Sequence, residues 1–157
     1  MSKPIIKKAP ESLKGIPEDF VHVFLAGSID MGKAEDWQTK LTKEIVKKHK
    51  EVVILNPRRD DWDSSWEQSI ENEKFREQVE WELSSMEAAD VIVFYFDKEG
   101  EAPITLMELG LNAERKKTII VCCPDGYWKK GNVEVVCSYY DIELVNTYDE
   151  LVERLCG

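Results

Sequence analysis

The chain has 157 residues, 43% hydrophobic and 33% charged, which is the size and balance of one ordinary domain and not of a disordered or membrane-embedded chain. Thirty-one acidic against 21 basic side chains give a formal net charge of −10, a surface that repels phosphate backbones and anionic lipid. Polymeric nucleic acid and membranes are therefore not expected partners, although a local basic pocket can still hold one small phosphate. No apolar run approaches the ~20 residues of a membrane helix, and the lysine-bearing N-terminus has an apolar stretch too short for a secretory leader. Cys122, Cys123, Cys137 and Cys156 form no C-x-x-C pair, and the only histidines are His22 and His49. No metal site and no cofactor are expected from that set. Buried, inert thiols in a reduced, cytoplasmic protein fit it best.

Residues 1–18 carry three prolines and little periodicity, and read as an arm ahead of a domain spanning 19–157. The apolar run Val21 to Ala26 meets Gly27 and Ser28, the pattern of a buried strand ending in a tight turn. Trp37, Leu41, Ile45 and Val46 follow at helical spacing. A second strand, Val52 to Leu55, ends at Asn56 and Pro57 and opens a polar, Trp-rich loop from Arg58 to Ser69. Phe75, Val79, Leu83 and Met86 mark one face of a helix, and Ala89 to Phe96 is the strongest strand. A loop with Gly100 and Pro103 leads to a helix from about Ile104 to Lys116, then to a strand over Thr118 to Cys123. The remainder predicts a short strand or helix at Val133 to Cys137, a last strand at Ile142 to Asn146 and a closing helix from Tyr148 to Leu155.

Strands alternating with helices predict a single α/β domain, doubly wound and Rossmann- or flavodoxin-like, with a mainly parallel sheet of about five strands. Ligands of such sheets bind at the carboxyl ends of the strands. That rule gathers Ser28 to Asp30, Asn56 to Asp63, Asp97 to Pro103 and Pro124 to Asn132 around one crevice. Neither histidine is placed to activate Ser28, which argues against a Ser-His-Asp hydrolase. "FLAGSIDMG" matches neither a dinucleotide fingerprint nor a Walker A loop. Its backbone N–H groups can still meet an anionic or hydroxylated ligand.

Two glutamates stand out. Glu108, in "PITLMELG", is flanked by apolar Leu106, Met107 and Leu109 and is placed early in its helix. There the positive helix end and partial desolvation together suit a nucleophile. Gly110 removes a side chain nearby and would allow close approach. Glu82 lies on the preceding helix and shares a face with Gln78 and Ser85. Most helical glutamates are simply solvated, and periodicity does not separate these two from that background.

"VFLAGSID", "ADVIVFYF" and "MELG", in that order and spacing, resemble the nucleoside 2-deoxyribosyltransferase superfamily, and "NPRRDDWD" and "CPDGYWKKGNVE" resemble its transferase-like branch. The superfamily includes enzymes that hydrolyse the N-glycosidic bond of 2′-deoxynucleoside 5′-monophosphates. The resemblance implies that Glu108 attacks the anomeric carbon and holds the deoxyribosyl group covalently. Glu82 stands where the family places an acidic residue, commonly Asp, that orients a sugar hydroxyl or moves a proton. Phe24 takes a position often held by Tyr, and Asn132 resembles an asparagine contributed by a neighbouring subunit, which implies at least a homodimer. Gly27, Ser28 and Asp30 from the first turn, Asn56, Arg59 and Trp62 from the second, and Asp97 and Met107 complete the expected substrate contacts, with Arg59 equally expected to pair with Asp60, Asp61 or Asp63 and brace its loop.

Two departures shape the expected substrate. Asp30 replaces the arginine that receives the 5′-phosphate in the hydrolases, which favours a free nucleoside. Ala102 replaces a polar residue six before the nucleophile, with Glu101 and Asp97 as stand-ins. The expected function is thus cleavage or transfer at the N-glycosidic bond of 2′-deoxynucleosides through a glycosyl-Glu intermediate. The alternatives are hydrolysis of a nucleoside 5′-monophosphate, or a non-catalytic nucleotide-binding or sensor domain.

Overall fold

The structure, a computed structural model, describes residues 2–28 and 35–157. The elements run β1 (Ile5–Lys8), β2 (Val21–Gly27), α1 (Trp37–Lys48), β3 (Val52–Asn56), α2 (Glu73–Ala88), β4 (Val91–Tyr95), α3 (Pro103–Asn112), β5 (Thr118–Cys122), α4 (Lys130–Tyr139), β6 (Glu143–Val145) and α5 (Tyr148–Cys156). All six strands form one parallel sheet in the order β1-β3-β2-β4-β5-β6. The fold class is the expected one, with six strands in place of about five. The additional strand lies in the N-terminal arm, where Ile5 to Lys8 pair with Val53 to Asn56. Four residues at a sheet edge, only partly buried, carry no strong apolar signal.

Alternation along the central strands splits the core into two layers. Phe24, Val53, Leu55, Ile92, Phe94 and Val121 face α2, α3 and α4, where Trp81, Met86, Leu109 and Val133 meet them. Val23, Leu25, Ile54, Val93 and Ile120 face α1 and α5, against Trp37, Leu41, Ile45 and Leu151. Three helices begin on side-chain caps, each accepting from a backbone N–H three residues on: Asp36 for α1, Asn72 for α2 and Thr147 for α5. Helix α3 begins differently. Ala102, in the left-handed region at φ 48°, precedes Pro103 and gives no side-chain cap. The helix also stops at Asn112, short of the expected Lys116.

The turn after β2 is closed by packing. A Cβ at Gly27 would collide with the Trp37 indole and the Tyr95 carbonyl. Trp37 stacks on Tyr95 with ring centroids 4.9 Å apart, and its Nε1 donates to the Ser28 carbonyl at 3.2 Å. Gly27→Ala must push this stack apart. We expect it to lower unfolding free energy by about 1–3 kcal/mol, read from the denaturation midpoint.

Candidate active site

The site is built where α2 and α3 meet. On α3 the buried residues are Thr105, Glu108, Leu109 and Asn112, one helical face that is mostly polar. Its apolar residues Ile104, Met107 and Leu111 point the other way and are about half exposed. On α2 the inward residues are Gln78, Trp81, Ser85 and Met86, with Glu82 partly buried among them. A polar inner face on a packed helix is costly and is not what core packing selects.

Glu108 is 5% exposed, and its carboxyl hydrogen-bonds to that of Glu82. Two carboxylates repel, so this contact requires a proton. Burial first, then the neighbouring Glu82 charge and the hydrogen bond to it, hold Glu108 well above the usual carboxylate range. Burial likewise raises Glu82, opposed by its hydrogen bonds with Glu108 and Gln78. Both carboxyls are thus raised and share a proton above the usual carboxylate range, and they titrate as a pair.

Glu108 does not sit at the positive end of its helix, contrary to the expectation from sequence. Glu108 is the sixth residue of α3, beyond the first turn where the macrodipole acts, so desolvation and Glu82 set its chemistry. Gly110 is exposed and has nothing within 4 Å of an added Cβ, so no close approach is seen there.

The other expected residues divide by place. Ser28, Asn56 and Asp97 lie at the carboxyl ends of β2, β3 and β4, as the strand-end rule predicts. The buried Ser28 Oγ accepts from the Asp97 N–H at 3.0 Å, and Asn56 Oδ1 accepts from the Arg58 N–H at 2.9 Å. Phe24 is fully buried and packs near Trp81 at 6.5 Å between ring centroids. Gly27 is occupied by the Trp37 stack. Arg59 is engaged by its own loop and by α2, pairing with Asp61 at 2.6 Å and Glu77 at 2.8 Å beside the Trp66 ring. Trp62 packs edge-on against Trp66, with centroids 5.0 Å apart. Met107 and Asn132 are exposed on α3 and α4, away from the buried pair. Asp30 lies outside the described residues.

Further contacts fix the rim. Tyr127 is buried and donates to the Glu101 carbonyl, as does Trp128 Nε1 at 3.0 Å. Both pin the loop ahead of α3. His22 Nδ1 sits 2.8 Å from the Phe20 carbonyl and His49 Nε2 3.1 Å from the Leu155 carbonyl, so neither serves Ser28. Among the described residues no cluster of His, Cys, Asp and Glu could hold a metal ion, and no helix is long and apolar enough to cross a membrane. Burial pushes the Cys122 thiol up to about 12 and those of Cys123 and Cys137 to about 11, which makes them poor nucleophiles. A groove of about 780 Å³ separates the arm from the outer face of α2, and neither glutamate lines it.

Sequence spacing brought Gln78 onto the face of Glu82, but its second partner comes from elsewhere. Gln78 Nε2 donates to Glu82 Oε2 at 2.9 Å and to the Pro57 carbonyl at 2.8 Å. Only the fold sets that loop over α2. Asn112 was passed over altogether. It donates to the Glu108 carbonyl at 2.8 Å and to Met86 Sδ at 3.3 Å, and its i, i+4 spacing from Glu108 was the available signal.

A crystal structure of a conserved protein from Enterococcus faecalis V583 is similar in fold, with a TM-score of 0.62 over 87% of this chain and 97% of that one. At 12% identity it supports the fold alone. No curated protein matches the sequence. Residues 21–127, from β2 through Tyr127 and including Glu82 and Glu108, match the family described as nucleoside 2-deoxyribosyltransferase like. On that match the chain belongs to the nucleoside 2-deoxyribosyltransferase-like family.

Proposed function

We propose that the protein cleaves or transfers at the N-glycosidic bond of 2′-deoxynucleosides, with Glu108 as nucleophile and Glu82 as its proton partner. The observation that carries this reading is the buried, mutually hydrogen-bonded carboxyl pair between α2 and α3. An ionised Glu108 oxygen attacks C1′ as the C1′–N bond breaks, and the base leaves with the bonding electrons and takes up the proton from Glu82. A second base, or water, then attacks C1′ and gives its proton to Glu82, while the C1′–O bond breaks and Glu108 leaves as the carboxylate. The positive charge that develops on the sugar is stabilised by the carboxylate that traps it.

The pair is closed in this structure. Retaining glycosidases hold two carboxyls about 5–5.5 Å apart around the sugar, so substrate must separate Glu82 from Glu108 and take over the contact. Separation relieves the Glu82 repulsion and breaks the hydrogen bond that help keep Glu108 protonated, so binding itself favours the ionised nucleophile. Incubating the protein with each 2′-deoxynucleoside, with and without an acceptor base, and following free base by chromatography tests the reading. Exchange indicates a transferase and release without exchange a hydrolase. Turnover only with 5′-monophosphates would reverse the expectation drawn from Asp30. No turnover with any of them defeats the reading in favour of a binding domain.

The active unit proposed is a homodimer or higher homo-oligomer. Ile104, Met107 and Leu111 form an exposed apolar stripe on α3, and Val135 and Tyr139 are exposed on α4, the helix that carries Asn132. Exposed apolar side chains grouped on a helix in this way suit an interface. Met107→Glu should lower the mass measured by light scattering from that of an oligomer to that of one chain. A wild-type protein that already runs as one chain would remove the subunit role of Asn132.

A further inference from the structure

We propose that Gln78 is a positioning residue for Glu82: its amide ties the Glu82 carboxyl to the backbone behind β3 and so fixes the rotation of that carboxyl towards Glu108. The proposal rests on the proposed function for its kinetic arm only. Gln78 is 5% exposed, in the interior of α2. Both hydrogen bonds use Nε2, at 2.8 Å to the Pro57 carbonyl and 2.9 Å to Glu82 Oε2. The Pro57 carbonyl can only accept, so the amide has one permitted orientation; the flipped form would set Oε1 against that oxygen.

That orientation has a cost. Oε1 is buried and has no hydrogen-bond partner among the described residues. A Leu or Met of similar size would pack here without it, so a position chosen for packing would not keep an amide. What the amide supplies is a donor to Glu82 from a frame that the helix alone cannot provide. Pro57 directly follows Asn56, the last residue of β3, so the strand end fixes the carbonyl. Residues i and i+4 on one helix meet readily but move together. Anchoring Gln78 to a second element stops the carboxyl rotating with its own side chain.

Among the described residues the groups facing Glu82 are few. Glu108 faces it from α3, Gln78 from its own helix, and the loop after β3 presents a backbone carbonyl to the amide. A donor on a carboxylate favours its ionised form, so removing it moves the carboxyl titration to higher pH.

The test compares wild type with Gln78→Met, and with Gln78→Leu should the first variant fail to fold. Glutamate side-chain ¹³C signals are titrated by NMR, and kcat and KM are measured across pH on a 2′-deoxynucleoside. The Glu82 titration should rise by about half a pH unit or more, with the acid limb of the rate profile moving alongside it. The kcat should fall about tenfold or more while KM stays within about twofold. An unmoved Glu82 titration in a folded variant overturns the proposal. So does a loss of kcat that is equal at every pH, the signature of a merely structural residue. If wild type turns over no nucleoside yet the titration shifts, the function reading fails and the positioning role stands.

Discussion

Glu108→Gln should lose about 10³-fold or more in kcat while becoming harder to unfold. A thousandfold corresponds to roughly 4 kcal/mol of transition-state stabilisation, the scale expected when a covalent nucleophile is removed. The gain in stability follows from the direction of the titration. Folding raises Glu108 above its ordinary value of 4.5, so between that value and the folded one the native state binds more protons than the unfolded chain. Stability contributed by this group is then full at acid pH and is lost as pH rises. The neutral amide keeps the volume and has no charge to bury. The variant should gain about 1–3 kcal/mol near pH 8 and less near pH 5. Denaturation midpoints at the two pH values, beside the chromatographic assay, measure both effects. Undiminished turnover would remove Glu108 from the mechanism. Equal midpoints would show that the buried carboxyl costs the fold nothing.

The central sheet was legible because strands buried on both faces must be continuously apolar. Val52 to Leu55 and Val91 to Phe94 satisfy that rule with no competing helical period. β1 did not announce itself, since an edge strand buries little and its register is supplied by β3. The shortened α3 has a similar cause. Alanine, glutamate and lysines after Asn112 are all good helix formers, and local propensity gives no reason to stop there. A turn closes instead, with the Arg115 N–H donating to the Asn112 carbonyl at 3.0 Å.

The candidate site was legible in its residue types and not in its polarity. Glu82 and Glu108 each occur amid helical apolar residues, and spacing alone cannot tell which way such a helix turns. On α3 the answer is inverted. Hydrophobic Ile104, Met107 and Leu111 face outward, while Thr105, Glu108 and Asn112 face the core. The contact between the two glutamates joins positions 26 apart in sequence through two helices on one face of the sheet, which only the topology brings together. Arg59 shows the opposite limit. A basic side chain at a strand end reads equally as a ligand contact or as a brace for its own loop, and here the carboxylates of Asp61 and Glu77 hold it.

Glu82→Gln should reduce kcat by about 10²–10⁴-fold, the range for losing a positioned proton donor or acceptor. The substituted amide can turn its oxygen toward the Gln78 Nε2 and keep that bond, so the local geometry should survive. Without the neighbouring carboxyl, Glu108 loses the repulsion and the hydrogen bond that raise it, and its titration should move down although burial still holds it up. The pH profile should then lose one limb, because a single carboxyl replaces a coupled pair. Glu82→Asp tests reach separately. One methylene fewer withdraws the carboxyl by about 1.5 Å, enough to break its contact with Glu108 while leaving a group that still titrates. Its activity should fall between wild type and Glu82→Gln. Residues that act as one unit are not additive. In the double variant Glu82→Gln/Glu108→Gln, turnover should therefore be no slower than in Glu108→Gln alone. Full additivity of the two losses would mean that the carboxyls contribute separately, and a proton-sharing pair would no longer explain the site.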